Sequence, residues 1–175
     1  MPYLIGLLVV LAGAWFWINR ARQAAQGAQE LADMAGDVLS AARRFGFRRR
    51  ANIHPVESIE DTGLAIAGAG MAFMELGGLP SAEQQDALAI SLQSRLDMAK
   101  DKADEALIIG RWLVTECGGA EPAITRLSRR LYRMDTGAIT PLMSVLKDVA
   151  GANRGGMSDK QRDAVEEIAR AFRVR

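Results

Sequence analysis

The sequence predicts an all-α protein, with one apolar membrane helix at the amino terminus and a bundle of helices after it. Three observations predict it. The first nineteen residues carry no charged side chain. From about residue 57 onward apolar residues recur at helical spacing, and no alternating strand pattern of useful length interrupts them. Two capping boxes, Ser81 with Gln84 and Ser158 with Gln161, mark helix starts.

The first element is the apolar run Met1 to Ile18, ending at Asn19-Arg20. Pro2 to Ile18 amounts to roughly 26 Å at about 1.5 Å per residue, near the lower limit for spanning hydrocarbon. Tyr3 sits near one end and Trp15, Phe16 and Trp17 at the other, where amphipathic rings favour the headgroup region. A cleaved signal peptide is the rival reading. It requires a basic start and small residues before the cleavage point, whereas this run has no early Lys or Arg and closes on Trp-Phe-Trp-Ile-Asn. An uncleaved anchor at residues 1–19 is therefore expected. The arginines all follow it, so the amino terminus is expected outside and the bulk of the chain in the cytoplasm.

Charge is distributed unevenly. Residues 20–50 hold seven Arg against Glu30, Asp33 and Asp37, a net of +4, while residues 51–175 carry a net of −3. The juxtamembrane arginines Arg43, Arg44, Arg48, Arg49 and Arg50 are candidates for anionic lipid, each worth about 1 kcal/mol near such a surface. Setting topology is the plainer role for them. Nucleic acid is not expected as a partner, because the part after residue 50 has no net basic surface and few aromatics. Cys117 is the only cysteine, so no intrachain disulfide can form, which fits a cytosolic domain.

Residues 20–56 form a linking unit. Leu31, Met34, Val38, Leu39 and Ala42 make a helical stripe, which Gly46 interrupts before Arg48-Arg49-Arg50. His54-Pro55 opens the next unit, since the residue before Pro avoids helix. The domain at 57–175 then reads as successive helices. They run from Glu57 to Leu76, from Ser81 to Met98, and from Asp101 to Cys117 with a stop at Gly118-Gly119. Another has Pro122 in its first turn and Met134 near its end. The last two are Ile139 to Ala152 and a Ser158-capped helix reaching about Phe172. Gly63, Gly68 and Gly70 fall inside the first of these, where close helix packing accounts for them.

An internal repeat is the most informative feature of this part. Gly77-Gly78-Leu79-Pro80-Ser81-Ala82-Glu83-Gln84-Gln85-Asp86-Ala87-Leu88 returns as Gly155-Gly156-Met157-Ser158-Asp159-Lys160-Gln161-Arg162-Asp163-Ala164-Val165. With Pro80 omitted, the two agree at Gly, Gly, Ser, Gln, Asp and Ala. Two duplicated helix-turn-helix hairpins bracketing the middle helices are expected.

These turns resemble those of the TerB-like domain of tellurite-resistance proteins. The same fold forms the membrane-proximal cytosolic part of DjlA-type anchored co-chaperones. The resemblance covers about residues 57–173 and implies a multi-helix bundle at the inner face of a bacterial membrane. His54-Pro55-Val56 lacks the Asp of the J-domain signature, so no co-chaperone activity is implied. The family pattern also places Asp in the turn and Glu at the third position after Ser, both candidates for metal binding. Here Gly77, Gly155, Gln84 and Gln161 stand at those positions. Neutral groups are poor ligands for a hard divalent cation, which leaves Glu75, Glu83, Asp86, Asp159 and Asp163 as weak candidates. No metal and no cofactor is expected.

Nothing in the sequence assembles a catalytic constellation. His54 is the sole histidine and lies beside Pro55, and no Walker-type loop is present. Glu105 and Glu116 flank Arg111 on one helix, a spacing that fits a surface network better than a paired-carboxylate site. Arg126, Arg129, Arg130 and Arg133 crowd another helix, as a solvated face or as a docking surface for an acidic partner or the bilayer. The expected function is that of a non-enzymatic, membrane-anchored adaptor for a cytosolic protein. The alternative is a sensor binding a divalent cation at the repeated turns. A homo-oligomer through the span is a third option, although Gly6 and Gly13 are too far apart in sequence to form the close-packing motif.

Overall fold

In a computed structural model, residues 53–173 apart from Arg154 are described. The apolar run 1–19 and the arginines at 43, 44 and 48–50 lie outside the described residues, together with the expectations attached to them. Among the described residues no helix is long and apolar enough to cross a membrane.

The described chain is helical without a strand. A 3-10 turn at Pro55–Ser58 leads into α1 (Thr62–Leu76), α2 (Ala82–Leu96), α3 (Lys100–Glu116) and α4 (Ala120–Met134). A second 3-10 turn at Thr136–Ala138 precedes α5 (Ile139–Gly151) and α6 (Asp159–Ala171). The all-α expectation holds for these residues.

Apolar content decides which helix is central. From Leu64 to Leu76 every residue of α1 except Glu75 is buried, as expected of a helix that is apolar all round. It touches all five other helices, and α3 and α4 cover it most extensively. Backbones meet where α3 crosses it. A Cβ on Gly110 would lie 3.2 Å from the Gly68 Cα and 3.3 Å from the Ala67 carbonyl carbon, so glycine sets the crossing distance. Leu127 packs on the other side, its Cδ1 3.2 Å from where a Gly68 Cβ would stand. The glycines inside the first helix are packing contacts, as their sequence context suggested.

Two boundaries differ from the sequence reading. The expected Glu57–Leu76 helix starts at Thr62, because Asp61 caps it by accepting from the Leu64 N–H at 3.0 Å. Glu57 and Ser58 end the 3-10 turn, and residues 59–61 stay non-helical, with the Ile59 carbonyl accepting from Arg130 instead of an amide one turn on. The expected Ser81–Met98 helix ends at Leu96, where Asp97 turns into the left-handed region at φ 52°. Met98 is then free to tuck against α1 beside Gly63.

Both capping boxes form. Ser81 and Ser158 each accept from the amide of the Gln three residues on, and each Gln returns a bond to the Ser amide. The second glycine of each turn, Gly78 at φ 118° and Gly156 at φ 70°, supplies the positive φ that reverses the chain. The packing, however, does not form two equivalent hairpins. α2 lies mainly on α5, α6 lies on α4 and the end of α1, and α5 and α6 barely touch.

The reason sits at the α6 start. Its Ser158 Oγ donates to the Leu76 carbonyl at 3.1 Å, and its Gln161 Nε2 donates to the Phe73 carbonyl at 2.9 Å. The amides of Gly77 and Gly78 serve the Met74 and Glu75 carbonyls. All four carbonyls that α1 leaves open at its end are thereby satisfied, half of them by another helix. This tie draws α6 away from α5 and onto the central helix.

Candidate functional site

α4 is the element that presents charge. Its buried face is Ala123, Ile124, Leu127, Ser128 and Leu131, and the four arginines foreseen in the sequence lie outside that face. Gly118 and Gly119, at φ 82° and 124°, turn the chain into it. The structure divides the arginines by task. Arg130 is half-buried and turned inward, donating to the Ile59 carbonyl through Nε at 2.9 Å and through Nη2 as well. It therefore holds the pre-helix segment in place. Arg133 stays exposed and pairs with Glu57, Nη2 to Oε2 at 2.6 Å, while its Nε donates to the Arg129 carbonyl.

Arg126 and Arg129 are exposed and have no carboxylate partner among the described residues. With Arg133 they line an open cleft of about 710 Å³, completed by Glu57, Pro122, Thr125, Tyr132 and Ala171. The Tyr132 ring is fixed from two sides. Phe172 meets it edge-on at 5.8 Å between centroids, and the Arg173 guanidinium lies 5.5 Å from its centre. The cleft thus offers three arginines, one carboxylate already engaged, and a clamped aromatic ring. Guanidinium groups and an aromatic ring are groups whose chemistry suits anionic side chains and an apolar neighbour.

A smaller recess of about 310 Å³ between α4 and α6 has another character. Lys160 reaches Glu121 at 2.9 Å, and Arg170 reaches Glu167 at 3.0 Å, so its charges answer one another.

The acidic candidates at the turns do not assemble. Among the described residues no group of three His, Cys, Asp or Glu side chains stands close enough to hold a metal ion. Asp159 is engaged by Arg162, and Asp163 lines the smaller recess. Burial pushes the Glu75 carboxyl up, with Arg111 partly opposing it. The Glu83 carboxyl is held low by its own backbone N–H and the Ser81 hydroxyl at the α2 start. Asp86 is exposed on α2. Of the positions where the resemblance places acids, Gly77 and Gln161 touch each other. A Cβ on Gly77 would stand 2.7 Å from Gln161 Nε2, so the glycine makes room for the amide.

The remaining chemistry-bearing residues have structural surroundings. His54 accepts from the Val56 amide through Nδ1 and lies 3.2 Å from the Glu116 carbonyl through Nε2, which closes the start of the domain onto α3. Burial raises the Cys117 thiol above its ordinary value, with Arg126 working against this and Glu116 reinforcing it. A raised thiol is a poor nucleophile at neutral pH.

Glu57, Tyr132 and Ala171 were missed as cleft residues in the sequence. Tyr132 lies among the arginines of α4, but Glu57 and Ala171 are remote in sequence and join only through folding. No protein-family model, curated protein or solved structure matches the chain. The likeness to TerB-like domains accordingly rests on the two turns.

Proposed function

We propose that this protein is a membrane-tethered, non-enzymatic docking module whose α4 cleft receives an acidic protein partner. The observation that carries the reading is the cleft itself, where Arg126 and Arg129 project without carboxylate partners among the described residues beside Tyr132. Arginine retains its charge at any physiological pH and matches carboxylates through a planar fork, so a partner pays little to orient it. The apolar run 1–19 supports a tether, and the arginines after it support a cytoplasmic orientation at a bacterial inner membrane. The helical, duplicated-turn design supports a TerB-like domain in the adaptor role. A cation sensor finds less support, since the acids at the turns are dispersed or paired.

Crosslinking in intact cells tests the proposal, using the full chain and a form lacking residues 1–19. Recovery of a defined crosslinked protein that falls on deletion of the run, and falls also in the Arg126→Glu/Arg129→Glu variant, is the expected result. Crosslinks indifferent to both changes would remove the reading.

A further inference from the structure

We infer that the partner segment seated in the α4 cleft is an amphipathic helix with carboxylates three and four residues apart. The inference rests on the docking reading above and specifies what docks. Arg126, Arg129 and Arg133 follow at intervals of three and four on one helix, so they rise about 4.5 Å and then about 6 Å along its axis. A helix lying alongside repeats those intervals when its acids are spaced by three and four. An extended segment advances about 6.6 Å between side chains on one face and is out of step by the third.

The walls favour carboxylates on a rod over a phosphate group. A phosphate is held by cations and N–H groups converging on one point, whereas these arginines are strung along about 10 Å of helix. Arg133 engages Glu57 through Nη2 and its own helix through Nε, which leaves Nη1 for the third carboxylate. Pro122, Tyr132 and Ala171 add apolar groups to the lining, which the apolar stripe of an amphipathic helix can cover.

The test uses the full chain in nanodiscs of neutral lipid and fluorescence anisotropy with two synthetic peptides of equal composition. One is helical with Glu spaced by three and four beside Leu. The other carries the same Glu on alternate residues. The matched peptide is expected to bind at least about tenfold tighter, and Arg126→Glu/Arg129→Glu to weaken it by about tenfold or more. A third peptide with Lys in place of Glu is expected to bind that variant, which shows that it remains folded. Equal affinity for both registers overturns the helix inference and leaves acidic docking standing. No peptide binding, together with crosslinks in cells unaffected by the variant, overturns both. Retention by anionic nanodiscs that the variant abolishes, with no peptide binding, overturns the inference in favour of a lipid surface.

Discussion

At the scale of single residues, Gln161 carries the most structural meaning. It is fully buried, and its amide acts in both directions, accepting from Ser158 N–H at 3.0 Å and donating to the Phe73 carbonyl. A glutamate would keep the first bond and lose the second, while placing charge beside a carbonyl oxygen. Gln161→Glu is expected to cost about 2–3 kcal/mol at neutral pH. Its carboxyl would titrate above the ordinary glutamate value, so the penalty is full above that raised value and shrinks as pH falls through it. Chemical denaturation at about pH 7 and about pH 4.5 checks this. A variant equally unstable at both would show that the donor bond is not what matters.

Asp148 behaves in the opposite sense. Hydrogen bonds from Arg95 and Ser91 hold its carboxyl below the ordinary value. The stability it contributes is present above the ordinary aspartate value of about 4 and is lost as pH falls through the lower folded one. Arg95 is half-exposed, so solvent screening keeps the ion pair small. Asp148→Asn is expected to lower stability at neutral pH by about 1 kcal/mol or less and to flatten the acid limb of a stability–pH curve.

At the scale of elements, the crossing of α1 and α3 depends on Gly110. Its added Cβ would face backbone atoms of Gly68 and Ala67, which cannot rotate aside. Gly110→Ala is expected to destabilise by about 1–3 kcal/mol, read by thermal melting, whereas alanine at exposed Gly151, where nothing lies within 4 Å, should not. Much at this scale was legible beforehand. Both Ser–Gln boxes, the Gly118-Gly119 stop and the apolar stripes act within a few residues, and local physics decides them. The α1 start was misplaced because the Ile59 carbonyl is served from Arg130, a partner remote in sequence. The hairpin geometry was misjudged for a related reason. The capping boxes are local, but what Ser158 and Gln161 bond beyond their own turn is not.

Tertiary structure likewise sorts the arginines of α4. Their spacing put all four on one surface, but only packing turns Arg130 inward and brings Glu57 to Arg133. Glu57→Ala is therefore expected to release Arg133 and strengthen binding of an acidic segment about two- to fivefold, with little change in stability, since exposed ion pairs contribute about 0–1 kcal/mol. Titration of the matched peptide checks it. Weaker binding would mean that Glu57 positions Arg133 for its partner.

At the scale of the whole molecule, the proposed function needs a tether and a docking cleft. The central helix is buried on all sides, so recognition falls to the outer faces, and the α4 face combines exposed cations with a fixed ring. The acids were legible as weak metal candidates, and folding disperses them or pairs them with basic groups. Exposed substitutions on this face leave the core intact, so loss of partner can be separated from loss of fold. The most direct measurement is partner crosslinking in intact cells by the full chain and its Arg126→Glu/Arg129→Glu variant, with melting curves recorded for both. The account predicts a defined crosslinked protein that disappears in the variant while the melting temperature stays within a few degrees. An undiminished crosslink in a variant that is equally stable would contradict it.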